Sequence, residues 1–228
     1  MKLKQLYTLD AGRRSQGFLK RHAAVIGDAV TPVLWARLDN GVADLEGYQL
    51  EQRTSTGLAR GMTPILKEKR DGIHTEFGNP IRAIADRSLS NTPEHLTLLL
   101  PSRADTHGEF LAMACVLAAS AALHEQVFLD HGMRTDFLAR LDAAVVDLAK
   151  ATYDRGRHKA RSAAARAGLE AADKEVKDAL ATMDATMLLV LRKDASLAAD
   201  WKASRKIHVT ITPLPNLGLI RPARDIPA

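Results

Sequence analysis

The sequence lacks the features that mark secreted and membrane proteins. It contains a single cysteine, Cys115, so no disulfide bond can form within the chain. Residues 1–10 have no apolar stretch like the core of a signal peptide, which leads us to expect a cytoplasmic protein. The uncharged run from Phe110 to Leu123 falls short of the roughly 20 apolar residues that cross a bilayer. We therefore predict no membrane span.

Signatures of common catalytic sites are also absent. There is no Gly-x-Ser-x-Gly elbow, no Gly-x-x-x-x-Gly-Lys-Ser/Thr phosphate loop and no Gly-x-Gly-x-x-Gly motif. No Glu precedes a His by three residues, and His124 and His131 would lie about 10 Å apart along a helix, too far for one metal ion. We predict no catalytic residues, no metal ligands and no cofactor. The chain is interpreted as a non-enzyme, and an enzyme with an unrecognised site in a bundle cavity is a minor alternative.

Aromatic residues make up only 4% of the chain, and alanine dominates its apolar residues. Alanine has the highest helix propensity, so this composition favours helices. A helix that is apolar on all sides must be surrounded by other helices, and the run from Phe110 to Leu123 predicts such a helix. Thr106 and Glu109 form a capping-box pattern in front of it, and Gly132 follows it. We predict an all-α fold: an antiparallel, up-and-down helical bundle with this Ala-rich helix over 107–131 at its centre.

Further helix boundaries follow from proline and from apolar spacing. Thr31-Pro32, Thr63-Pro64 and Thr92-Pro93 each resemble a helix start, with Thr as the cap and Pro in the first turn. The patterns predict helices over 10–26, from 32 to the mid-fifties, from 135 to about 151, over 170–192, and over 197–206, the last anchored by Leu197 and Trp201. We expect residues 1–206 to form one domain.

The two ends of the chain have a different pattern. Residues 2–9 alternate loosely and predict a short extended segment. Ile207, Val209 and Ile211 alternate with polar residues before a proline-containing arm, so 207–228 is predicted to be extended. Because an isolated strand is unstable, the C-terminal strand must pair with residues 2–9 or with a neighbouring molecule. The second alternative would produce a homo-oligomer or a filament.

A basic cluster spans Arg155, Arg157, Lys159 and Arg161, with Arg166 beyond it. It falls where the apolar stripe of the preceding helix stops, so we expect a solvated helix end there. The alternative is a contact surface for phosphates, because closely spaced cations neutralise several of them. Aromatic residues that could stack on bases are missing except for Tyr153.

Three segments resemble a group of uncharacterised bacterial all-helical proteins: His74-Thr-Glu-Phe-Gly-Asn-Pro-Ile81, Phe128-Leu-Asp-His-Gly-Met-Arg-Thr-Asp-Phe-Leu138 and Asp200-Trp-Lys202. The resemblance covers roughly residues 55–205. It implies a helical bundle and carries over no activity.

From the residues, the leading interpretation is a structural or interaction protein that self-associates through helix faces and extended termini. An acidic middle, residues 71–150, lies between basic flanks, which we interpret first as packing of oppositely charged segments within one bundle. The alternative is head-to-tail attraction between copies of the chain. The runner-up is an anion- or nucleic-acid-binding module that uses the 155–166 cluster.

Overall fold

The computed structural model describes residues 2–99 and 106–207. Of these residues 89% are helical, and this part of the chain contains no strand, so the predicted all-α class is confirmed. Within it lie eight α-helices: α1 (Leu3–Arg21), α2 (Ala23–Ile26), α3 (Pro32–Ile73), α4 (Asn79–Ser88), α5 (His107–Leu123), α6 (Glu125–Asp130), α7 (Phe137–Leu191) and α8 (Ala195–Arg205). Short 3₁₀ segments cover Gly27–Ala29 and Pro93–Leu98, and a π-helical segment covers His74–Gly78.

The described residues form two compact units. Of the described residues, unit 1 comprises 2–49 and 166–207, and unit 2 comprises 50–99 and 106–165. The prediction of one domain over 1–206 remains a prediction.

Unit 1 is built from α1, α2, α8 and the adjoining parts of α3 and α7. Its α3 and α7 parts run antiparallel, since Arg37 donates to Glu175 at 2.7 Å while Gly168 lies against Tyr48. Trp201 is buried beside Phe18, with 5.1 Å between ring centroids. The predicted anchoring of the last helix by Leu197 and Trp201 is confirmed, because both are buried in this core.

Unit 2 packs α4, α5, α6 and the other parts of α3 and α7. Here too α3 and α7 run antiparallel: Thr56 and Ser162 share a hydrogen bond of 2.9 Å, and Lys69 pairs with Asp147 at 3.0 Å. The core contains the following buried side chains: Leu66, Ile73, Phe77, Ile81, Leu98, Phe110, Leu117, Phe128, Leu141 and Leu148. A second core therefore exists that shares no residue with the core of unit 1.

The predicted extended N-terminal segment is wrong, because residues 3–9 are the first turns of α1. The residues buried along this helix recur at helical spacing and include Gln5, Thr8, Leu9 and Gly12. The loose alternation of Leu3, Tyr7 and Leu9 is thus compatible with a helix that buries small and polar residues. At Gly12 an added Cβ would lie 2.6 Å from Val42 Cγ2, so α1 approaches α3 closely there.

Two predicted interruptions are also wrong. Pro64 lies inside α3, which continues to Ile73. A proline removes one intrahelical hydrogen bond, and the buried Ala59 and Leu66 on either side supply packing that keeps the helix continuous. Likewise α7 continues through residues 155–161, where a helix end and a separate later helix were predicted. Arg, Lys and Ala are good helix formers, so this stretch needs no apolar stripe to remain helical.

The Ala-rich helix differs from the prediction in two ways. It ends at Leu123, and α6 follows after His124, so residues 107–131 form two helices. It is also not enclosed: Met113, Val116 and Leu123 are 39%, 44% and 75% exposed, and Cys115 is exposed as well. Unit 2 covers one face of α5 with its helices and leaves the other bare. An apolar sequence on every side of a helix is thus not sufficient to predict that every side is buried.

The C-terminal prediction falls mostly outside the described residues. Ile207 is partly buried against the core of unit 1. Val209, Ile211 and the remainder of the 207–228 arm lie beyond the described range, so the predicted strand remains a prediction. In the part of the chain that is described, no helix is long and apolar enough to cross a membrane.

Candidate anion-binding site

The structure separates the predicted basic residues into two groups, although all of them lie on α7. Arg155 and Lys159 line a cavity in unit 2. Arg157 forms an ion pair with Asp154 at 3.2 Å, and Arg161 is exposed and does not line this cavity. Arg166 is exposed and belongs to unit 1. Of the five predicted residues, only Arg155 and Lys159 therefore line this cavity, which is open to solvent.

The cavity has a volume of about 520 Å³ and lies where α3, the start of α5 and α7 converge. Its described walls are Leu66, Arg70, Thr106, His107, Gly108, Thr152, Arg155, Gly156 and Lys159. Three of these carry a full positive charge, and none carries a carboxylate. The α7 members are spaced by three or four residues, so one side of that helix faces the cavity.

The start of α5 forms one wall, and its capping box is well ordered by hydrogen bonds. The Thr106 hydroxyl accepts from the Glu109 N–H at 3.3 Å, and the Thr106 N–H donates to Glu109 Oε2 at 3.1 Å. These bonds to Thr106 lower the pKa of Glu109. The first N–H groups of a helix have no acceptor within it, so those of His107 and Gly108 are free of intrahelical bonds. The helix therefore adds two N–H donors and a partial positive charge to this wall.

His107 reports the electrostatics of the cavity. Its pKa is lowered, first by burial and then by the positive charges of Arg155, Arg70 and Lys159. Burial and the three cations thus both disfavour the charged imidazolium form of His107. Among the described residues, the buried His107 Nδ1 and Arg155 Nε have no hydrogen-bond partner.

The charges around the cavity are only partly balanced by the protein. No ion pair joins Arg155 or Lys159 to a carboxylate within residues 2–99 and 106–207. The Arg70 guanidinium lies 4.5 Å from the centroid of the Phe110 ring. Positive charges and backbone N–H donors are groups with which proteins bind anions.

A second cavity in unit 2 provides a contrast. It has a volume of about 430 Å³, and its walls include Glu76, Arg140, Lys69 and Asp147. Arg140 pairs with Glu76 at 2.8 Å, and Lys69 pairs with Asp147 at 3.0 Å. Its cations are therefore neutralised by the chain itself, so it offers little net charge to a ligand.

Sequence reasoning found Arg155 and Lys159 but missed Arg70 and His107. Arg70 lies far from them in the sequence, and only the packing of α3 against α7 brings it close. The capping box at Thr106 was a usable signal, because it marks a helix N-terminus where anions bind favourably. Among the described residues, no group of three or more His, Cys, Asp or Glu side chains could hold a metal ion.

Comparison with protein-family models, with curated proteins and with solved structures finds no match to this chain. The resemblance to bacterial helical proteins therefore remains a prediction.

Proposed function

We propose that the protein is a helical anion-binding protein without catalytic activity, and that its ligand occupies the cavity of unit 2. The observation that carries this proposal is the convergence of Arg70, Arg155 and Lys159 on one cavity whose described walls hold no carboxylate. Arg155 and Lys159 form no ion pair with a described carboxylate, so their mutual repulsion destabilises the unliganded state and a bound anion relieves it. Such a site gains affinity both from charge and from the N–H donors of α5.

Calorimetric titration with sulfate tests this function. We expect wild-type protein to bind sulfate, and the variants Arg155→Gln and Lys159→Gln to lose about tenfold in affinity or more, because each removes one charged contact. Arg161→Gln is the matched control, since it removes a cation from the same helix outside the cavity. An equal loss in all three variants would show that general surface charge attracts the anion. Absence of sulfate binding in the wild type would refute the function.

The arrangement of helices that we propose is an up-and-down bundle. The antiparallel course of α3 and α7 within each unit supports it. The bare face of α5 argues against a central position for that helix, so we place it at the side of unit 2.

Self-association is a second candidate function, favoured by that same bare face. The exposed positions of α5 from Ala112 to Leu123 carry no charge and are mostly small. A second copy of the face is a suitable partner, since small side chains let two helices approach closely and neither copy would bury a charge. Ile207 packs partly against the core of unit 1, and the contribution of Val209 and Ile211 to self-association stays a prediction.

Light scattering behind a sizing column tests self-association. We expect a concentration-dependent mass above 24.8 kDa that Val116→Glu abolishes. Val146→Glu is the control, because Val146 is 65% exposed on α7 in the same unit. A mass of 24.8 kDa at every concentration would contradict this candidate and leave the anion site unaffected.

A further inference from the structure

The composition of the cavity walls restricts the kind of anion that fits. The described walls carry three full positive charges and the N-terminus of α5. The nearest described carboxylate on α5 is Glu109, which is held by the Thr106 N–H and hydroxyl at 3.1 Å and 2.8 Å. Of the three cations, Arg155 and Lys159 form no ion pair with a described carboxylate, so a monoanion would neutralise only one of these two. A dianion neutralises both and accepts hydrogen bonds on several oxygens, so it matches these walls better.

The placement of the cations also favours a small ligand over a nucleic-acid strand. A strand presents one charge per phosphate at regular intervals and needs a row of cations along a groove. On α7 the other candidate contacts do not extend such a row, because Arg157 is paired with Asp154 and Arg161 does not line the cavity. Arg70, Arg155 and Lys159 instead line one cavity from two helices. Cations grouped around one cavity suit a single anionic group better than a strand of phosphates.

The remaining walls leave room for more than that group. A Cβ added at Gly108 or Gly156 would meet no atom within 4 Å, so bare backbone borders open space at both positions. The volume of about 520 Å³ lies within the range of cavities that hold small molecules. On the α3 side the accessible wall is formed by Arg70, because Leu66 is fully buried in the core.

We infer that the cavity binds the dianionic terminal phosphate of a small phosphate monoester, in preference to the phosphodiester of a nucleic acid. This inference rests on the proposed anion-binding function and specifies its ligand. The phosphate oxygens accept from Arg155, Lys159 and the N–H groups at the start of α5. The organic part of the ligand lies over the open backbone at Gly156.

Four ligands test the inference by calorimetry on the full chain: sulfate, phenyl phosphate, dimethyl phosphate and a single-stranded oligonucleotide without terminal phosphates. We expect phenyl phosphate to bind at least about tenfold more tightly than dimethyl phosphate, because the diester has one charge fewer. The oligonucleotide should bind more weakly than phenyl phosphate at physiological salt. Equal affinity for monoester and diester, or tighter oligonucleotide binding, would overturn the inference while leaving sulfate binding intact. Failure of every ligand, sulfate included, would refute the proposed function itself.

Substitutions at Gly156 test whether the ligand occupies the cavity without unfolding the protein. Gly156→Leu should fill the space beside Arg155 and weaken phenyl phosphate binding by about tenfold or more. Its melting temperature should not fall, because leucine favours a helix more than glycine does. Gly156→Ala is the matched control and should retain most of the affinity. Retained affinity in Gly156→Leu would place the ligand elsewhere and overturn the inference.

A carboxylate of the chain itself is an alternative source of the anion. Asp105 precedes Thr106 in the sequence and lies outside the described residues. If the wild type binds no ligand and Asp105→Asn binds sulfate and phenyl phosphate, the cavity serves an internal ion pair and the inference is overturned. If both bind phenyl phosphate within a few-fold of each other, the external ligand is supported.

Discussion

The one-sided burial of α5 leads to a sharp prediction about two adjacent residues. Leu117 is fully buried, whereas Val116 is 44% exposed. Leu117→Ala removes apolar carbons from the core of unit 2 and leaves a cavity, which costs about 2–5 kcal/mol of unfolding free energy. Val116→Ala removes less apolar volume from a half-exposed position and gains up to about 0.7 kcal/mol of helix propensity. We expect the second change to fall within about 0.5 kcal/mol of zero.

Urea denaturation followed by far-ultraviolet circular dichroism measures both changes. Runs at low protein concentration isolate the single chain from any self-association. A comparable loss for Val116→Ala and Leu117→Ala at low concentration would refute the one-sided burial of α5. A loss for Val116→Ala that emerges only at high concentration would instead indicate that a second copy covers this face.

Three further predictions concern packing, capping and pH. Gly12→Ala should destabilise the protein by about 1–3 kcal/mol, because its Cβ would lie 2.6 Å from Val42 Cγ2. Gly17→Ala on the same helix is the control: its Cβ meets nothing within 4 Å, so it should stabilise by about 0.5–1 kcal/mol. Thermal unfolding measures both changes. Thr106→Ala should cost about 1 kcal/mol through loss of the cap on α5, measured by urea denaturation, and no loss would contradict the capping box. His107 has a lowered pKa and faces the three cations of the cavity, with one carboxylate two residues along its own helix. A bound dianion favours the imidazolium and raises the pKa of His107. Binding is therefore coupled to proton uptake by His107, so calorimetry should show sulfate affinity rising as the pH is lowered in the wild type. The affinity of His107→Asn should not change over the same pH range.

Local signals in the sequence predicted helix boundaries well where a side chain bonds directly to the backbone. Thr31 accepts from the Leu34 N–H at 3.3 Å at the start of α3, and Thr106 and Glu109 form the capping box at the start of α5. Such contacts span three residues and are encoded locally. Thr63-Pro64 has the same pattern and yet lies within α3, because the packing of its neighbours outweighs one lost hydrogen bond.

Features that depend on contacts between residues far apart in the sequence could not be predicted from local patterns. Residues 3–9 form a helix because α1 lies against α3 at Gly12, a contact invisible in their own alternation. The candidate site likewise contains residues that local patterns predicted and residues that they did not. Arg155 and Lys159 were found because they are close in sequence, whereas the approach of Arg70 and His107 requires the fold of unit 2.

The separation of the two cores has a consequence for spectroscopy. The chain has two tryptophans, Trp35 and Trp201, and both belong to unit 1. Trp35 donates to Asp39 at 2.8 Å and Trp201 donates to Asp184 at 2.7 Å, so their emission should change when these contacts are lost. Tryptophan fluorescence therefore reports unit 1 alone, while circular dichroism reports both units. Coincident denaturation curves would mean that α3 and α7, which contribute to both units, unite them in one cooperative transition.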